Sequence, residues 1–241
     1  MTMPTTTFHP SESRGKADHG WLLSRHTFSF AGYHNPERMH FGALRVLNDD
    51  IVQAGMGFGK HPHDNMEIIS IPLSGDLEHR DSMGNVAVIS QGDVQVMSAG
   101  TGISHSEYNK NTDREVHFLQ IWVYPRQRNL TPRYGQISLN AENMHNKLMQ
   151  IVSPDIEDEG TWIYQDAWFS MGNFDDKQNF NYPLRKKENG VYLFVLSGGF
   201  SVLSHKLQAR DGMGISGTNE LEIESVMPGS ALLLMEVPMN W

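Results

Sequence analysis

Cysteine is absent from all 241 residues, which excludes disulfides, thiolate metal sites and cysteine nucleophiles and leaves nitrogen and oxygen to carry any metal. Basic residues are the minority charge, 19 Lys and Arg against 28 Asp and Glu, for a formal net charge of -9. Phosphate backbones are held largely by lysine and arginine, so direct binding of nucleic acid is disfavoured. The one basic cluster, Arg185 to Lys187, is followed at once by Glu188 and reads as a solvated turn. No apolar run approaches the roughly 20 residues of a membrane-spanning helix. The polar stretch Met1 to Arg14 has no apolar segment of the secretory kind. A cytoplasmic protein without membrane contact is expected.

Short apolar runs make up most of the pattern: Gly42 to Leu47, Glu67 to Leu73, Val86 to Ile89, Val94 to Met97 and Val116 to Tyr124, each bounded by Gly, Asp, Asn or Ser. No long stretch keeps a helical period, and the spacing predicts an all-β sandwich or barrel. Asp81 to Asn85 reads as a hairpin loop with Gly84 supplying the turn, and Pro125 to Pro132 as a linker. Ile71 to Met97 and Phe194 to Ile215 share an order of features: an apolar run into Leu-Ser-Gly, a Gly/Asp turn, then another strand. That repeat predicts two related halves, residues 1–131 and 132–241.

Four residues form the sharpest chemical signal. His61-Pro62-His63 and His105-Ser106-Glu107 each place two ligands on one face of a strand, because extended side chains alternate. Two such strands in one barrel aim three imidazoles and a carboxylate at one point. That donor set suits a divalent first-row metal and leaves a position open for water or substrate. Glu67 is a rival carboxylate, but four extended residues past His63 it stands on the order of 13 Å away unless the chain bends at Asp64-Asn65. The other nine histidines, His79, His117, His19 and His26 among them, lack a ligand-spaced partner and are expected to be structural or exposed. His117 and Gln120 lie on the next strand within conceivable reach of a cavity. Phe58, Met66 and Met97 are expected to be barrel core, with an apolar pocket wall as the alternative.

These residues carry a family resemblance. Gly55, His61-x-His63-x3-Glu67 and Gly75 resemble the first cupin motif. Gly92, Asp93 to Met97 and His105-x3-Asn109 resemble the second, although Ser98 replaces the usual proline and the histidine comes two residues late. Gly59-Lys-His-Pro-His63 and Ser98-Ala-Gly-Thr-Gly-Ile-Ser-His-Ser-Glu-Tyr108 are similar to the pirin family of bicupins. His19-Gly-Trp, His26-Thr-Phe-Ser-Phe30 and Leu44-Arg-Val-Leu-Asn-Asp50 resemble its bacterial branch. The resemblance covers the first half and is faint over the second.

It implies two jelly-roll barrels, of the double-stranded β-helix kind, with metal in the N-terminal barrel only, on His61, His63, His105 and Glu107. In the second half the matching positions are Leu184, Lys186, Gly190, Ile223 and Ser225, which offer no ligand set. It further implies quercetin 2,3-dioxygenase activity, cleavage of a flavonol by O2 with loss of carbon monoxide. Glu107 is then the candidate catalytic base, with Glu67 as the alternative. Iron(II) is the first choice of metal, from availability and O2 chemistry, with nickel, cobalt, copper, manganese or zinc as alternatives. A second reading from the same family is a metal-binding regulatory protein acting through protein partners. A third is isomerase or hydrolase chemistry on another small molecule, since the fold hosts many reactions. A chain that already pairs two barrels is expected to be a monomer.

Overall fold

The computed structural model describes residues 3–241, and these are arranged almost wholly in short strands. The first barrel has a seven-stranded sheet, in the order Arg133–Ser138, Asp93–Ser98, Glu67–Ser74, Val116–Val123, Leu44–Val52, Leu22–His26 and Gly15–Asp18. Facing it is a four-stranded sheet of Gly57–His63, Ile103–Asn109, Asp76–Asp81 and Val86–Ser90. The second barrel repeats the plan with seven strands, Thr5–His9 and Gly212–Ser216 at one edge and Met149–Ser153 and Thr161–Trp162 at the other, over a sheet of four. The fold is the all-β, two-barrel architecture expected of a bicupin.

The predicted runs lie on observed strands because most are buried on both faces. In Val116–Val123 the odd residues Leu119, Ile121 and Val123 point out of the first barrel. There they pack with Phe169, Tyr192, Phe194, Leu233 and Met235 of the second half in one shared core. The even residues Phe118, Gln120 and Trp122 face the first barrel's interior. The two large sheets are thus stacked back to back, and their strands read as near-continuous hydrophobic runs. The hairpin at Asp81–Asn85 forms as expected, with Gly84 at φ 95°.

Two edge strands cross between the halves. Thr5–His9 pairs antiparallel with Gly212–Ser216, and His9 Nδ1 meets the Tyr192 hydroxyl at 2.8 Å. Arg133–Ser138 pairs with Asp93–Ser98 of the first barrel. The division drawn at 131/132 therefore cuts one strand from its sheet, and Pro125 to Pro132 is a loop within the first barrel rather than a linker. Passage to the second half comes later, through the 3-10 turn Ala141–Met144. The strand Arg133–Ser138 carries little sequence signal because it is a short half-exposed edge with little apolar alternation.

Candidate functional site

The two barrels differ in what fills them. The interior of the second is one apolar cluster, built around Phe174, Val191, Leu193, Phe200, Ile223 and Leu234. The interior of the first is divided. One apolar cluster, Leu22, Val52, Leu77, Ile89 and Phe118, lies toward one end, and another, Ile68, Met97, Ala99 and Ile103, toward the other. Between them runs a row of polar side chains. Strand register sets His26 opposite Asn48, Asn48 opposite Gln120, Gln120 opposite Ser70 and Ser70 opposite Gln95. Cross-strand partners share a face, so this row looks into the barrel.

The histidines sit over that row on the smaller sheet. His105 pairs directly with His61, and Ile103 with His63. The three imidazoles converge, with ring centroids 4.8 Å apart for His61 and His63, 4.5 Å for His61 and His105, and 4.9 Å for His63 and His105. One nitrogen from each lies within 4.8 Å of the others. The group fits a metal. His61 Nδ1 lies 2.7 Å from the Gly59 carbonyl, which takes the N–H on that side and leaves Nε2 with its lone pair free. His105 Nε2 is buried and has no partner. Burial, then the neighbouring His61, holds the proton affinity of His63 down to about 4. The same two influences, joined by His63 and His79, take His105 to about 2. Both imidazoles are accordingly neutral at pH 7, the state in which they bind metal.

Glu107 lies past a β-bulge that separates it from His105, and it is buried. Its Oε1 accepts from the Ser70 hydroxyl at 3.1 Å and its Oε2 from the Gln120 amide at 2.8 Å. Burial raises its carboxyl to about 7, against the lowering effect of those two bonds. The carboxylate approaches the site through His105 and His79, all three offering ligand atoms within 4.8 Å, rather than standing in the close group of His61 and His63. In this conformation it is drawn back toward the polar row.

His79, which spacing alone left as structural, is thus part of the site. It lies across from Glu107 in the register, meets Asp81 Oδ2 through Nε2 at 3.2 Å, and brings Nδ1 to 3.5 Å from His105 Nδ1. The sequence signal for it is His79-x-Asp81, a same-face pair ending at the hairpin. Glu67 is not part of the site. It lies three residues before Ser70, so it faces the opposite side of the sheet, where its Oε2 accepts from Ser98 at 2.6 Å. Burial raises that carboxyl too, to about 7. His117 also faces away, bound to Asp49, whereas Gln120 reaches the cavity.

His61 and His63 open onto a cleft of about 430 Å³, within the range of small-molecule sites. Its apolar walls are Trp21, Leu22, Phe30, Phe58 and Trp122, and its polar ones Ser24, His26, Asn48, Asp50 and Gln120. Trp21 meets Phe58 edge-on at 5.4 Å, and Trp122 meets both Phe30 and His63 edge-on at 5.3 and 4.9 Å. Phe58 therefore lines the cleft, while Met97 is core with Met66 against it. His19 and His26, also expected to be structural, are lining residues. No lysine or arginine contributes to the lining.

The family described as Pirin matches residues 7–123, and the Quercetinase C-terminal cupin domain matches residues 150–237. A quercetin 2,3-dioxygenase of Escherichia coli (strain K12) is 40% identical over 229 residues, covering 95% of this chain and 96% of that protein. A pirin-like protein of Caulobacter vibrioides is 36% identical over 93% of this chain and 97% of its own length. The bacterial pirin YhhW from Escherichia coli, solved in complex with nickel(II), superposes with a TM-score of 0.91 at 37% identity, covering 97% of this chain and 99% of that one. With this likeness running through both barrels, the chain belongs to the pirin family.

Proposed function

We propose that the protein is a metal-dependent dioxygenase that cleaves flavonols such as quercetin, with the metal on His61, His63, His105 and Glu107. The observation that carries this reading is the convergence of three imidazoles beside a buried carboxyl of raised proton affinity, next to an aromatic-walled cleft. The names of the relatives in Escherichia coli and of the second-half domain support the same substrate class.

A bound divalent metal, iron(II) by preference, would supply Lewis acidity toward a 3-hydroxy-4-ketone and a redox route to O2. The chain's own residues do the rest. Trp21, Phe58 and Trp122 bind the flat ring system and exclude water. Glu107 takes the 3-hydroxyl proton at Oε1 or Oε2, and its raised proton affinity matches that task at neutral pH. Ser70 and Gln120 hold the carboxyl and stabilise its charged form. His79, braced by Asp81, fixes the His105 ring.

The test is to load the protein with metal under anaerobic conditions, add quercetin, and follow its absorbance together with oxygen uptake. Coupled one-to-one consumption, lost in His61→Ala, is expected. Metal bound without turnover would refute the dioxygenase reading and favour a regulatory protein acting through a partner.

A further inference from the structure

The buried polar row does not end beneath Glu107. It continues for two more strands, through Asn48 to His26, with Asp50 and Ser24 on the adjacent row. At a strand spacing of about 4.8 Å, His26 lies roughly 10 Å from Gln120 along the sheet. Asn48 is 1% and His26 is 2% exposed, and both line the cleft. Asn48 Oδ1 and His26 Nδ1 nonetheless have no hydrogen-bond partner, nor does Nε1 of Trp122, which also lines the cleft. Buried polar atoms are rarely left unpaired, and unpaired ones that border a cleft are places for a ligand or water.

We propose that Asn48, His26 and the Ser24–Asp50 pair form a second recognition subsite, which binds phenolic hydroxyls on the part of an aromatic substrate remote from the histidines. This rests on the dioxygenase reading for the direction in which the substrate lies. The chemistry of the pole selects the group. Asn48 Oδ1 is an acceptor, and the Asp50 carboxyl, which already accepts from the Ser24 hydroxyl, accepts in its ionised form and can also donate when protonated, burial having raised it to about 7. They call for hydroxyl donors. A carboxylate, sulfate or phosphate would face Asp50 with no lysine or arginine in the lining to receive it. The subsite therefore favours free polyhydroxylated rings over unsubstituted or anion-conjugated ones. Each hydroxyl that pairs here relieves a buried group that an unhydroxylated ring would leave unpaired, which is the arrangement that discriminates strongly.

The experiment measures binding and turnover separately with two ligands, on metal-loaded protein. Quercetin carries hydroxyls on both outer rings, while 3-hydroxyflavone keeps the 3-hydroxy-4-ketone and lacks every other hydroxyl. Anaerobic titration should give a Kd for quercetin about tenfold below that for 3-hydroxyflavone. In Asn48→Leu and Asp50→Asn the ratio should fall toward one, mainly through weaker quercetin binding. Equal affinity for the two ligands in the unmodified protein would overturn the subsite, as would a ratio unchanged in both variants, and either result leaves the dioxygenase reading standing. Selective binding of quercetin with no oxygen consumption would support the subsite while sinking that reading.

Discussion

Glu107→Gln separates the electrostatics of the site from its chemistry. Burial carries the Glu107 carboxyl from its ordinary 4.5 to about 7. A carboxyl whose proton affinity is raised on folding contributes stability that is whole below about 4.5 and is lost as pH rises through about 7. At about 1.36 kcal/mol per pH unit between those values, ionisation costs the metal-free fold about 3 kcal/mol, of which roughly 2 to 3 kcal/mol is lost between pH 5 and pH 8. Glutamine fills the same space and cannot ionise. It weakens one of the bonds to Ser70 and Gln120, at about 1 kcal/mol. Metal-free Glu107→Gln should therefore be about 1 kcal/mol less stable than the parent at pH 5 and more stable by about 1 to 2 kcal/mol at pH 8. Urea unfolding at the two pH values reads this directly; Glu67, also raised to about 7, cancels because both proteins contain it, while Asp50, held up in part by the Glu107 charge, is relieved in the variant and adds to the difference in the same direction. Stability differences that stay constant between the two pH values would refute the burial argument. Metal-loaded Glu107→Gln should lose turnover by about 10² to 10⁴-fold as a missing general base, and full turnover with metal still bound would show that the base is elsewhere.

Glu67→Gln alters a carboxyl on the far face of the same sheet, so metal content and flavonol turnover should stay within about threefold of the parent; a large loss in steady-state assays would return Glu67 to the site. His79→Asn keeps a partner for Asp81 but removes the ring beside His105, and should weaken metal affinity by about tenfold in a chelator competition. Unchanged affinity would mean that His79 is merely packed there. Metal at 100 times its Kd should stabilise the parent by about 2.7 kcal/mol in thermal unfolding, and His63→Ala should abolish that gain.

The barrels and the three histidines were legible in the sequence because both depend on alternation along single strands. His61-x-His63 and His105-x-Glu107 needed no long-range information to show a shared face. The contributions of His79, Gln120 and Asn48 depend on which strands lie side by side, and strand order is invisible to local pattern. Glu67 shows the same limit from the other direction. Its parity with His63 counted for nothing once Gly57–His63 and Glu67–Ser74 entered different sheets. The N-terminal strand Thr5–His9 was unreadable for a different reason: four of its five residues are exposed, and its anchor is a pairing with residues about 200 positions away.

The central claim is that His61, His63 and His105 hold the metal. Elemental analysis of protein purified without oxygen, beside His61→Ala and His105→Ala, tests it most directly. One divalent transition metal per chain is predicted, falling to near zero in both variants while the strand content by circular dichroism is unchanged. Full metal occupancy in folded His61→Ala and His105→Ala would contradict it.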